Sequence, residues 1–251
     1  MLTEFPLFWF TTLAGLSVGL SFASAFFPPK EKPARPWLIP LCCLVLLGLG
    51  LLGVLFHLGR PELFFLGMAN PTAGIAQEAY ASILFGILLL AQLIICAKKG
   101  QAPKALNIIA AVAGLALACI MGFAYLANVG TSAWVSFATV PLFAIGDLCM
   151  GMGLYGLANK AAHQEKPFFL TSVVLQMLLA VTLIVEGVFF PAAGENGALF
   201  FVALAISPVA VIVCQCLANK KPAAWAPAVI CACALIGVIV ARWGFYAASI
   251  L

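Results

Sequence analysis

Eight unbroken apolar runs occupy most of this chain of 251 residues, and each is long enough to cross a hydrocarbon core as helix, which takes about 20 residues. They cover 7–27, 37–58, 79–97, 105–127, 134–158, 168–190, 198–217 and 223–249. Pro, Gly or a charged residue bounds most of them. The runs are continuous rather than alternating, so they read as helices and not as strands of a membrane barrel. Lys, Arg, Asp and Glu make up only 8% of the residues, against about 25% in soluble proteins, which is too few to coat a water-soluble globule. Lipid is therefore the solvent. The expected fold is all-α: one integral membrane domain over 1–251, a bundle of eight transmembrane helices.

Cytoplasmic loops collect Lys and Arg, and that bias orients the bundle. Lys30, Lys32 and Arg35 follow the first run, Lys98, Lys99 and Lys104 the third, Lys160 and Lys166 the fifth, and Lys220 and Lys221 the seventh. Of the 12 basic residues only Arg60 and Arg242 fall towards the other side. Both termini are thus expected on the non-cytoplasmic side of a cytoplasmic (inner) membrane. The net charge of +4 is a topology signal and not a mark of nucleic-acid binding. Residues 1–6 carry no basic residue, so the first run is expected to stay as a helix rather than leave as a signal peptide.

All nine cysteines lie within or at the ends of apolar runs, and the pairs Cys214/Cys216 and Cys231/Cys233 do not have cluster-ligating spacing. They read as small packing residues, and no metal site is expected. The longest connection, 59–78, contains Pro61, Asn70, Pro71 and Gly74, so it is expected to turn back on itself. No internal repeat stands out, although two halves of four helices each fit the spacing.

Ionisable residues at membrane depth cost about 2.5 to 3.5 kcal/mol each on insertion scales, so each is a functional candidate. His57, Arg60 and Glu62 follow the second run closely, Glu78 opens the third, and Glu186 and Arg242 lie near the outer ends of the sixth and eighth; Asp147 is mid-span in the fifth. Apart from Asp147, all belong to the outer half. An alternating-access transporter places such groups near the midplane, and a channel lines its whole depth with polar residues, whereas the inner halves here offer little. A site for a bilayer-dissolved molecule that exchanges protons with the outer aqueous phase needs acid and base at one interface, which is the pattern seen.

Oxidation of a quinol releases two electrons and two protons. Histidine, with an ordinary pKa of about 6.5, suits proton acceptance, so His57 with Glu78 is the expected catalytic pair, Arg60 is placed to hold a quinone carbonyl oxygen, and Glu186 and Arg242 complete the candidate quinone-binding set. Plainer readings stand beside these. His57 could hydrogen-bond a loop carbonyl, and Arg60 and Glu62 could be rim charges. Glu186 and Arg242 could pair with each other, Asp147 could be satisfied by Asn, Ser or Tyr, and Trp243, Phe245 and Tyr246 could form an interfacial aromatic belt. His163, in a basic loop, is expected to be solvated. With one membrane-associated histidine, no b-type haem is expected, so electrons must leave through a partner. Rival classes are a proton-coupled small-molecule transporter using Asp147 and Glu186 as relay, and a structural anchor without a quinone site.

The stretch "HLGRPELFFLGMANPTAGIAQEAYASILF", residues 57–85, resembles the His-Leu-Gly motif and following helix start of the membrane-anchor subunit of the bacterial dimethyl sulfoxide reductase family, and "GVIVARWGFYAASI", residues 237–250, resembles that family's closing helix. Gln77 stands where the family often has Asn. The resemblance implies a haem-free anchor that oxidises menaquinol at the equivalents of His57 and Glu78. It also implies two partners: an electron-transfer subunit with [4Fe-4S] clusters and a molybdopterin catalytic subunit, both on the outer face. Anchors of polysulfide or nitrite reduction are a near alternative.

Overall fold

A computed structural model describes residues 4–31, 33–57, 64–221 and 223–248. Among these there is no strand. The helices are α1 (Phe5–Phe26), α2 (Leu38–His57), the single turn α3 (Phe64–Gly67), α4 (Gly74–Lys99), α5 (Lys104–Leu126), α6 (Thr139–Ala158), α7 (Lys166–Ala192), α8 (Ala198–Leu204), α9 (Ala210–Lys220) and α10 (Ala226–Ala247). A π turn, Ala205–Val209, joins α8 to α9 into one span, giving the chain eight helices long and apolar enough to cross a membrane. Pro208 sits in this turn, where its missing N–H breaks the α-helical ladder.

Local chemistry sets the helix ends. Pro6 and Pro167 occupy the first turns of α1 and α7, where no N–H partner is lost. α4 ends at Gly100, whose φ of +80° suits glycine and whose N–H returns to the Cys96 carbonyl, with Lys98 and Lys99 facing the negative end of the helix dipole. Short 3-10 turns at Ser132–Trp134 and Lys160–Gln164 shape the connections on either side of α6.

The chain builds two four-helix rings in the same order. α1, α2, α4 and α5 each pack on the next and α5 closes on α1; α6, α7, α8–α9 and α10 repeat the circuit, with α10 closing on α6. The rings join mainly through α1 and α5 on α6. The α1–α6 contact needs small residues, because lipid gives helices no hydrophobic drive to associate and close backbone packing must supply it. Gly15 and Gly19 of α1 face Asp147 and Gly151 of α6: a Cβ on Gly151 would overlap the Gly19 backbone, and one on Gly15 would overlap the Asp147 carboxylate. α1 and α6 are accordingly the two most buried spans. All nine cysteines are free thiols.

Candidate functional site

Residues from five helices meet at the end of the bundle that holds both described termini. α2 reaches this end at His57, whose side chain, like Arg60 and Glu62 entirely, lies outside the described residues. In the described part of the connection, from residue 64 on, the chain turns: Asn70 Oδ1 accepts from the Thr72 N–H at 3.2 Å and the Thr72 hydroxyl at 2.7 Å, and the Tyr80 hydroxyl of α4 donates to the Met68 carbonyl at 2.6 Å. α4 starts at Gly74, earlier than the apolar run suggests, so Glu78 lies one turn inside the helix rather than at its start. The glycine lets this helix start approach α5 closely, since a Cβ there would stand 3.3 Å from that of Ala124. Glu78 is turned inward and only 7% exposed.

Tyr125 of α5 and Tyr246 of α10 share a hydrogen bond and both lie within electrostatic reach of Glu78. Their rings meet edge-on at 5.4 Å. Tyr246 also hydrogen-bonds Thr11 of α1 at 3.1 Å. Tyr125 stacks on Phe143 at 5.1 Å and meets Trp134 edge-on at 5.2 Å, while Trp134 stacks on Phe245 at 5.4 Å and donates its indole N–H to the Phe245 carbonyl. This aromatic box is core. Phe245 and Tyr246 are fully buried, which corrects the belt expectation for both; Trp243, which shares Phe8 of α1 with Tyr246, is 43% exposed, as a belt residue would be.

One stripe of α6 carries two more buried polar groups, Thr139 and Asp147, with Phe143 between them at helical spacing. Arg242 of α10 is ion-paired with Asp147, both without solvent exposure, and its guanidinium lies 4.9 Å from the Phe143 ring centroid. Glu186 of α7 takes a different partner, accepting from the Thr139 hydroxyl at 3.5 Å and from Ser136. The expected Glu186–Arg242 pair is therefore replaced by Asp147–Arg242. The reason is positional: Gly15 and Gly146 thin the helices around Asp147 and let the long Arg242 side chain reach it.

Two more expectations need correction. The inner halves do hold polar residues, but as cross-helix pairs: Gln176 with Ser207 at 3.1 Å, Gln215 with Ser172, and Gln92 with Asn107 at 2.9 Å. His163 is buried, not solvated; it lies edge-on to Phe168 at 5.4 Å, in space that Gly156 leaves open, and burial lowers its pKa below the ordinary histidine value. A cavity of about 300 Å³ beside it is lined chiefly by alanines, at the basic end of the bundle away from Glu78. No cluster of metal-ligating side chains occurs among the described residues.

The arrangement near Glu78 suits proton handling: a buried carboxyl next to two linked phenols, one turn below the helix ends. Thr11, Tyr125 and Trp134 escaped the sequence reading, because single polar or aromatic residues at the ends of apolar runs look the same whether they face lipid or core. The family described as DMSO reductase anchor subunit (DmsC) matches residues 1–235. No curated protein matches the chain.

Proposed function

We infer the function from one premise: the chain belongs to the DMSO reductase anchor subunit family, and so is the multi-pass membrane anchor of a DMSO reductase-type complex. Within that role we propose that it binds menaquinol at the termini-bearing end of the bundle, on the outer side of the inner membrane. The observation that carries the reading is Glu78, a carboxyl buried one turn inside the bundle beside Tyr125 and Tyr246. With His57 it takes the two protons of the quinol, and the two electrons pass to an iron-sulfur subunit docked on the same face, which relays them to a molybdopterin subunit. Arg60 holds a quinone carbonyl oxygen. Arg242 and Glu186 act at a distance, Arg242 beneath Tyr246 and Glu186 under the connection between α5 and α6. Both protons leave on the side where the quinol is oxidised, so this step moves no charge across the membrane.

The surface supports a docked partner at this end. Among the described residues the three most exposed large hydrophobics are Val129 at 84%, Phe137 at 79% and Leu66 at 70%, and none lies in a lipid-facing span. They stand on α3 and on the 127–138 connection, which flank the start of α4. Exposed apolar side chains on the connections between spans suit a protein contact. A transporter built on an Asp147–Glu186 relay fits less well, because the two carboxyls are engaged with separate partners, Arg242 and Thr139.

The test is a fluorescence-quench titration of a quinol analogue on membranes holding the intact complex, with Glu78→Gln and His57→Ala compared to the native chain. Loss of analogue binding or of quinol-driven turnover, with dye-driven reductase activity kept, is the expected result. Native quinol-driven turnover in both variants would leave the chain a structural anchor.

A further inference from the structure

At the basic end of the bundle, two connections stand apart across a cavity. The 3-10 turn Lys160–Gln164, between α6 and α7, lines one side of the space of about 300 Å³, and the connection from α9 to α10 lines the other. Gln164 Nε2 donates to the Ala218 carbonyl at 3.3 Å, so the two sides are tied to each other and the walls are set before anything enters. The floor is buried and chiefly apolar, built from Ala218, Ala226 and Pro227 beside His163. Lys160 and Ala224 are exposed and stand at the mouth. Charge around this mouth is one-sided. Lys166, Lys220 and Lys221 are exposed, and each lies within two residues of the lining in sequence. Among the described residues neither these three nor Lys160 is ion-paired. Glu165, the one carboxylate of the two connections, is taken by Lys30 at 3.6 Å. α10 begins at the cavity wall, so the positive end of its dipole adds to the same field. Trp225, next to the lining residues Ala224 and Ala226, is 49% exposed at the start of α10, as a tryptophan at headgroup level is.

We propose that this cavity binds the headgroup of an anionic phospholipid, with the phosphate at Lys160 and the glycerol on the floor of alanine and proline. Two features select that occupant. Unpaired lysines around a pocket between spans, at the end where the bundle meets the headgroups, attract anionic lipid. A soluble anion would use the lysines but gain nothing from the apolar floor, whereas a phosphate carried on glycerol and acyl chains uses both. The bound lipid bridges the two connections that the Gln164 bond already ties, and so holds α6 and α7 to α9 and α10 at this end. The proposal needs only that the chain spans a membrane. It is independent of the quinol reading, whose residues lie at the other end.

The experiment titrates phosphatidylglycerol, phosphatidylcholine or inorganic phosphate into the purified intact complex in detergent. Two quantities are read: lipid retained in native mass spectrometry, and the rise in unfolding temperature. Lys160→Gln removes the cation, Lys160→Arg keeps it, and Ala224→Leu narrows the exposed mouth without touching the core. Lys98→Gln removes a charge from the same end of the bundle, on α4. Phosphatidylglycerol should be retained by the native complex and raise its unfolding temperature more than phosphatidylcholine does. Lys160→Gln should bind it about five-fold more weakly, and Ala224→Leu should lose most of the rise, while Lys160→Arg and Lys98→Gln behave as the native chain does. Native retention in both Lys160→Gln and Ala224→Leu would overturn the site. An equal loss in Lys98→Gln would do the same, by spreading the effect over the whole basic end. Equal rises with the two lipids would make the contact apolar, and a full rise with inorganic phosphate alone would make the ligand a soluble anion; either result overturns the proposal.

Discussion

Arg242 of α10 and Asp147 of α6 form an ion pair with no solvent exposure on either side chain, one to two turns below the rim of the bundle. Two charges taken out of water cost more than their attraction returns unless both stay paired, so removing one partner costs more than removing both. Asp147→Asn or Arg242→Gln alone should therefore destabilise the chain by about 3 to 5 kcal/mol, and the double variant by clearly less than the sum. Thermal unfolding of the purified complex measures this. Additive losses would mean the pair is not the unit that holds α10 to α6.

The α1–α6 crossing depends on absent side chains. Gly19→Leu or Gly151→Leu drives a side chain into the backbone of the facing helix, and should cost about 3 kcal/mol or more, seen as loss of the complex from the membrane. Gly48 of α2 is the control, because a Cβ there meets nothing within 4 Å. Gly48→Ala should assemble as the native chain does. Equal losses at Gly48 and Gly19 would point to helix propensity rather than packing.

The eight spans were legible because length and apolarity alone define a lipid-crossing helix, and only the rims moved: α4 begins four residues before Glu78, and Trp134 belongs to a separate turn ahead of α6. Glu78 was legible as a candidate because a charge in an apolar run stands out. Its neighbours were not. Tyr125, Thr11 and Tyr246 come from α5, α1 and α10, and no pattern within one helix tells which faces meet. The same limit explains the partner of Arg242: the sequence reading paired it with Glu186, and only the packing brings Asp147 to it, where Gly146 lets α10 approach α6 and Gly15 leaves room for the Asp147 carboxylate. His163 read as solvated because basic loops usually are, and only the glycine at 156 reveals the slot it fills.

Glu186 braces the connection between α5 and α6. It accepts from Thr139, whose hydroxyl also lies 2.8 Å from the Trp134 carbonyl, and from Ser136, which in turn holds the Ala138 N–H at 3.1 Å. Glu186→Ala should therefore loosen 132–138 by about 1 to 3 kcal/mol, the cost of leaving buried donors unmatched. Amide hydrogen exchange in that segment should quicken, and less partner should be retained, since Phe137 stands on it. Unchanged exchange would make Glu186 independent of the loop.

His163 ties the opposite end to pH. Burial against Phe168 lowers its pKa below the ordinary value of about 6.5, so the folded chain holds the ring neutral at pH values where the unfolded chain already protonates it. The unfolded state then binds more protons, and folding stability rises with pH through that window. The contribution is complete above about pH 6.5 and is lost as pH falls from there through the lowered folded value. His163→Gln removes the titration, so its unfolding temperature should change less than that of the native chain between pH 7.5 and pH 5.5 in matched detergent. Identical pH profiles for the two would mean that the buried ring does not sense the proton, and that the space left by Gly156 serves packing alone.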